Sequence, residues 1–117
     1  MVEPYYDDIE MSAIDNVSYR DVMYTDKNIQ IVLMSLRPGV EIGLERHPGT
    51  TQFFRVESGV GIAQIHDKYY ALTDGIAFAV PPNALHNVAN IGSEELKLYT
   101  IYSPPVHPSH TKEKEKP

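Results

Sequence analysis

The sequence predicts an all-β domain built as a small closed barrel or jelly roll. Three observations carry this. Valine and isoleucine together number 20 against 7 leucines, and eight tyrosines join them. Such β-branched and aromatic side chains suit a pleated, half-buried surface. Nine prolines and seven glycines break the chain into short runs. No window of a dozen residues holds a 3.6-residue period, so helices are not the main element. Short strands without helices pack as a sandwich, jelly roll or barrel. An immunoglobulin-type sandwich is disfavoured, because the chain lacks both tryptophan and cysteine. Closure is favoured because no strand carries the charges that usually blunt an open edge.

The elements follow in order. Asp7–Ala13 is the one helical candidate, with acidic residues in its first turn. Strands are expected at Tyr19–Tyr24, Ile29–Leu36, Glu41–Leu44, Gln52–Ser58, Gly61–Ile65, Lys68–Leu72, Ile76–Val80, His86–Asn90 and Leu96–Tyr102. Arg37-Pro38-Gly39, Thr73-Asp74-Gly75 and Asn90-Ile91-Gly92-Ser93 read as turns. His66-Asp67 reads as a two-residue hairpin turn. Pro104, Pro105 and Pro108 end the last strand. His110–Pro117 alternates Lys and Glu with no apolar residue and is expected to be solvated and flexible.

With 117 residues the chain fits one domain. The formal charge is −6, and Glu3, Asp7, Asp8, Glu10 and Asp15 supply −5 of it with no Lys or Arg among residues 1–16. The expected organisation is therefore an acidic N-terminal arm (1–16), a nearly neutral barrel (17–107) and a charged tail (108–117). Lys and Arg are scattered singly through the barrel, which argues against nucleic acid and anionic membranes as partners. The start, Met1-Val2-Glu3-Pro4, has neither the basic nor the apolar stretch of a secretory signal. The best apolar run, Ile76–Val80, falls far short of the ~20 residues a spanning helix needs. A cytoplasmic location is the expectation.

No cysteine is present, so any metal must be held by nitrogen and oxygen ligands. Glu45 and His47 are two apart and share a face if extended. Pro48-Gly49 then turns the chain, and Gln52 opens the next strand. His86 follows the loop Pro81-Pro82-Asn83-Ala84-Leu85. Two imidazoles, one carboxylate and one amide oxygen converging in a barrel would suit a divalent transition metal: Fe, with Mn, Ni, Co or Zn as alternatives. Arg46 alternates with Glu45 and His47 and should face outward. His66 reads as an exposed turn residue, and His107 and His110 as tail residues. Tyr99 and Tyr102 read as core or rim packing.

At these residues the chain resembles the cupin superfamily, most of all its small single-domain members. In the first cupin motif a glycine, His-x-His, Glu and glycine follow at set intervals. Here EIGLERHPGTTQFFRVESG keeps the spacing His47, four residues, Gln52, six residues, Gly59. For the second motif, GIAFAVPPNALHNVAN supplies Gly75, Pro81, Asn83, His86 and Asn90 in register. Asn83 stands at the turn glycine, tolerable because Asn also visits positive φ. The resemblance spans roughly residues 28–105. It implies a double-stranded β-helix, that is, a jelly-roll cupin barrel. It also implies a metal set at Glu45, His47, Gln52 and His86. Two positions depart from the usual three histidines and glutamate: Glu45 stands for the first histidine and Gln52 for the glutamate. The net ligand charge stays at −1, and affinity should fall below that of a three-histidine site. A homodimer is the expectation the resemblance brings.

Met34, Phe54, Phe78 and Tyr102 are expected to line a pocket for a small organic molecule. The leading reading is a metal-dependent enzyme acting on a small oxygenated substrate, by oxygenase, isomerase or lyase chemistry. The alternatives are a non-catalytic ligand-binding or sensing domain and a metal-free domain whose polar residues only hydrogen-bond. The last carries a cost, since a buried carboxylate without a cation must protonate or find donors.

Overall fold

The strands assemble into two antiparallel sheets, as a jelly-roll barrel requires. The computed structural model describes residues 2–117; Met1, the first residue of the acidic arm, lies outside them. The elements are α1 (Ile9–Asp15), β1 (Arg20–Thr25), β2 (Gln30–Leu36), β3 (Thr51–Ser58), β4 (Gly61–Ile65), β5 (Lys68–Leu72), β6 (Ala77–Val80), β7 (His86–Asn90), β8 (Leu96–Ser103) and β9 (Lys112–Glu113). One sheet runs β6-β3-β8-β2-β1-β9 and the other β5-β4-β7.

Alternation decides what faces the core. In β3, Gln52, Phe54 and Val56 are buried, and their neighbours on the strand are not. In β8 the buried set is Leu96, Leu98, Thr100 and Tyr102. β7 contributes His86, Val88 and Asn90. β2 differs, being buried along its whole length. Its two faces are both covered, since α1 lies against β2, β3 and β8, and the polar Gln30 and Ser35 are buried with the rest. Ala13 is the buried residue of that helix. Among the described residues no helix is long and apolar enough to cross a membrane.

Three expectations need correcting. The helix runs two residues later than predicted, because Asp8 is its N-cap and accepts from the Met11 N–H at 3.1 Å. The segment Glu41–Leu44 is not a strand. It follows β7 through two isolated bridges, Glu41 to Ala89 and Glu45 to His86. The paired numbers sum to 130 at the first bridge and 131 at the second, so the register slips by one residue between them. The slip falls at Gly43, whose φ of +105° is open to glycine, and the Asn87 side chain takes the Gly43 N–H at 2.8 Å. Finally, the charged segment after His110 is not simply solvated: Lys112–Glu113 forms β9 on the edge of β1, pairing Arg20 with Glu113 and Asp21 with Lys112. The backbone of β1 offers unpaired groups there, and a ladder of that kind needs no apolar side chains.

The predicted hairpin at His66-Asp67 is present, with His66 at φ +55° between the paired Ile65 and Lys68. Asn83 has φ +64°, the conformation expected of a residue replacing the turn glycine.

Candidate metal centre

Backbone pairing brings the four predicted residues together. Glu45 and His86 exchange both backbone hydrogen bonds, each 3.0 Å. The one-residue slip at Gly43 sets that pairing. The His47 carbonyl accepts from the N–H of Thr50 (3.2 Å) and of Asn83 (3.1 Å), which ties the Pro48-Gly49 turn to the loop before His86. Gln52 enters from the start of β3 with its side chain inward.

The distances are short. Glu45 Oε1 lies 3.3 Å from His47 Nε2 and 3.7 Å from His86 Nε2. His86 Nε2 lies 3.1 Å from Gln52 Oε1. The Glu45, His47 and His86 donor atoms all fall within 4.8 Å of one another, so this group could hold a metal ion. The side chain of His86 is almost wholly buried, that of His47 nearly so, and that of Glu45 one-third exposed, so the cluster meets solvent on the Glu45 side.

Hydrogen-bond partners fix which atoms of the cluster carry protons. His86 Nδ1 sits 2.8 Å from the Ala84 carbonyl, which can only accept, so Nδ1 carries the hydrogen. In the neutral ring, Nε2 is then a lone pair. The Thr100 hydroxyl donates to the Phe53 carbonyl at 2.8 Å, so its oxygen can only accept from Gln52 Nε2, 3.0 Å away. That turns Gln52 Oε1 toward His86. With His86 neutral, two acceptors face each other at 3.1 Å with a carboxylate beside them, and His47 Nε2 is buried without a hydrogen-bond partner. A cation between them, or a proton on His86 Nε2, satisfies that arrangement. Metal–ligand bonds of about 2.1 Å place neighbouring donors about 3.0–3.4 Å apart, close to the observed spacings. The donor set fits a divalent ion.

Burial would raise the Glu45 carboxyl. The His47 imidazole, 3.3 Å away, helped by His86 and Arg20, outweighs it and holds Glu45 below its ordinary value. Tyr102 is pushed up, chiefly by burial and then by the charge of Glu45.

Around the centre, Tyr102 stands edge-on to His47 at 5.5 Å and Phe54 edge-on to His86 at 6.3 Å. The predicted pocket residues separate. Met34, Phe54 and Tyr102 are buried in the core. Phe78 is stacked on Phe54 at 4.7 Å and also faces a surface groove of about 600 Å³ between β5 and β6. Ile65, the cross-strand partner of His86, lines the same groove.

Arg46 is exposed and reaches the Asn83 carbonyl, as an outward residue should. His107 is not a free tail residue. The Gln30 side chain grips its backbone N–H (3.0 Å) and carbonyl (2.8 Å), and its Nε2 meets the Tyr102 hydroxyl at 3.3 Å. Burial, and next the charge of Arg20, lower its pKa. Sequence reasoning missed Thr100 as the group that orients Gln52. The available signal was a polar residue at an inward position of an otherwise apolar alternation.

A model of the cupin domain matches residues 32–102. Protein YrkC of Bacillus subtilis (strain 168) is 40% identical over 115 residues, covering 93% of this chain and 62% of its own length. The chain thus spans less than two-thirds of that relative. The crystal structure of BH2720 from Bacillus halodurans superposes with a TM-score of 0.93 at 38% identity, covering 96% of this chain and 89% of that one. An RmlC-like cupin from Shewanella frigidimarina, at 22% identity and a TM-score of 0.67, covers 74% of this chain and 75% of its own and shares the fold.

Proposed function

The chain belongs to the cupin family, and from that premise we propose that it binds one divalent transition metal through Glu45, His47 and His86, with the Gln52 amide oxygen as fourth ligand. The further reading is a metal-dependent enzyme acting on a small oxygenated organic molecule. One observation carries the proposal: the donor atoms of Glu45, His47 and His86 lie within 4.8 Å of one another, with Gln52 Oε1 3.1 Å from His86 Nε2.

The chain's own residues have defined parts. His86 is held by the Ala84 carbonyl, which fixes its tautomer and ring plane. Thr100 fixes the Gln52 amide. Glu45 supplies the one full negative charge and the exposed side from which a small molecule can approach. Phe54 and Tyr102 exclude water from behind the imidazoles. A bound divalent ion would supply Lewis-acid polarisation of an oxygen, or dioxygen chemistry if it is iron.

Elemental analysis of protein purified without a histidine tag should find close to one transition metal per chain. The double variant His47→Ala/His86→Ala should carry none while keeping its fold. Metal retained by that variant would sink the assignment. A metal-loaded protein whose melting temperature rises with a small organic acid, yet which consumes neither the acid nor oxygen, would be a binder rather than an enzyme.

A further inference from the structure

Arg20 is the cation that the metal reading leaves unused. It pairs with Met34 across β1 and β2, and Met34 belongs to the core, so Arg20 also points inward. Its side chain is only 13% exposed. The guanidinium lies over the Tyr19 ring at 5.0 Å. A guanidinium is rarely turned toward an apolar core without an acid to receive it.

The acid here comes from the charged tail. Arg20 Nη1 donates to Glu113 Oε1, and Glu113 sits opposite Arg20 in the two-residue strand β9. The pairing is incomplete, since Arg20 Nε is buried and has no acceptor. The other ion pairs of this region are of a different kind. Arg37–Glu115 (3.4 Å) is solvent-exposed and Lys112–Asp21 (3.9 Å) has an exposed lysine, and pairs of that sort contribute little. β9 keeps its place without them through backbone bonds: the Tyr19 N–H to the Lys114 carbonyl (3.1 Å) and the Val22 N–H to the Thr111 carbonyl (2.8 Å).

We propose that Arg20 is the anchor for the carboxylate of a small organic acid, and that Glu113 holds that position as an internal stand-in which the ligand displaces. The ligand class is a small organic carboxylate. A planar carboxylate can take Nε and an Nη of a guanidinium together, which Glu113 does not do here. This inference rests on the proposed function for what the site is used for. The anchor itself can be read without metal.

The experiment uses the full chain, stripped of metal, titrated with malonate and with neutral malonamide as control. Wild-type protein should bind malonate weakly, because the anion competes with Glu113, and should then be cleaved faster by trypsin after Lys112 and Lys114. Glu113→Gln keeps the backbone bonds of β9 and should bind malonate about tenfold more tightly. Arg20→Gln should not bind it. Should Arg20→Gln fail to fold, Arg20→Lys keeps the charge and should bind more weakly than wild type, because the fork is lost. Malonamide should not bind to any variant. Unchanged affinity in Glu113→Gln, equal binding to Arg20→Gln, or no binding to any variant would overturn the anchor. Malonate uptake by a protein that takes up no metal would keep the anchor and dismiss the metal.

Discussion

Thr100→Val isolates the orientation of a ligand from its presence. The substitution keeps the shape of a fully buried side chain and deletes one hydroxyl. Two hydrogen bonds go with it, Gln52 Nε2 to Thr100 Oγ1 (3.0 Å) and Thr100 Oγ1 to the Phe53 carbonyl (2.8 Å). Each is worth about 1 kcal/mol net. Nothing then keeps the Gln52 oxygen toward His86. In metal-free protein the amide can turn over and donate its N–H to the His86 Nε2 lone pair, recovering about 1 kcal/mol. The expected loss of stability without metal is therefore small, about 1 kcal/mol, or a fall of roughly 4 °C in melting temperature for a domain of this size. With metal the sign of that new bond reverses, because the turned amide presents nitrogen hydrogens and occupies a ligand lone pair. Losing an orienting partner of this kind costs about 10–100-fold in metal affinity, or about 1.4–2.7 kcal/mol. Competition against a chromophoric chelator reads the affinity, and urea unfolding in EDTA reads the stability. Thr100→Ser keeps the hydroxyl and should bind metal nearly as wild type. Wild-type affinity in Thr100→Val would mean that Gln52 is not a ligand, and the reasoning from hydrogen-bond directions would fail.

Other expectations follow from the same contacts. Glu45→Gln removes the only carboxylate of the cluster and should weaken metal binding by more than Thr100→Val does in the same chelator competition. Glu45 is held below the ordinary carboxyl value of 4.5, so its ionised form contributes stability above that pH, lost as pH falls through the lower folded value. Acid titrations of metal-free protein, followed by circular dichroism, should therefore show a shallower loss in Glu45→Gln. Phe54→Ala empties a site with no exposure, stacked on Phe78 and edge-on to His86, and should cost about 3–5 kcal/mol in urea unfolding. Gly59→Ala should cost about 2 kcal/mol or more in thermal melts, because φ is +117° and the new Cβ would stand 2.8 Å from the Glu95 carbonyl.

The parts of this molecule legible in its sequence are those set by neighbours along the chain. β4, β5 and β7 have the predicted bounds, because short runs between turn residues declare both ends. Spacing placed His47, Gln52 and His86 together because each follows a turn at a fixed distance. What escaped depends on pairing across long separations. The Glu41–Leu44 run has strand composition, yet its register is governed by Asn87, 44 residues away from Gly43, whose side chain fills the bond that a regular ladder would have made. β9 has no local signal, since only the open edge of β1 makes a strand of Lys112–Glu113. Arg20 shows the limit most sharply. Tyr19, Asp21 and Met23 lie on one face of the predicted strand, and Arg20, Val22 and Tyr24 on the other. Both sets mix apolar with charged residues, so alternation cannot say which face is inward. Pairing with β2 decides it for Arg20 and Val22, and the irregularity after Val22 breaks the register before Tyr24. A buried charge in this barrel is thus placed by the register of β1 on β2 and by the distant Glu113 that answers it.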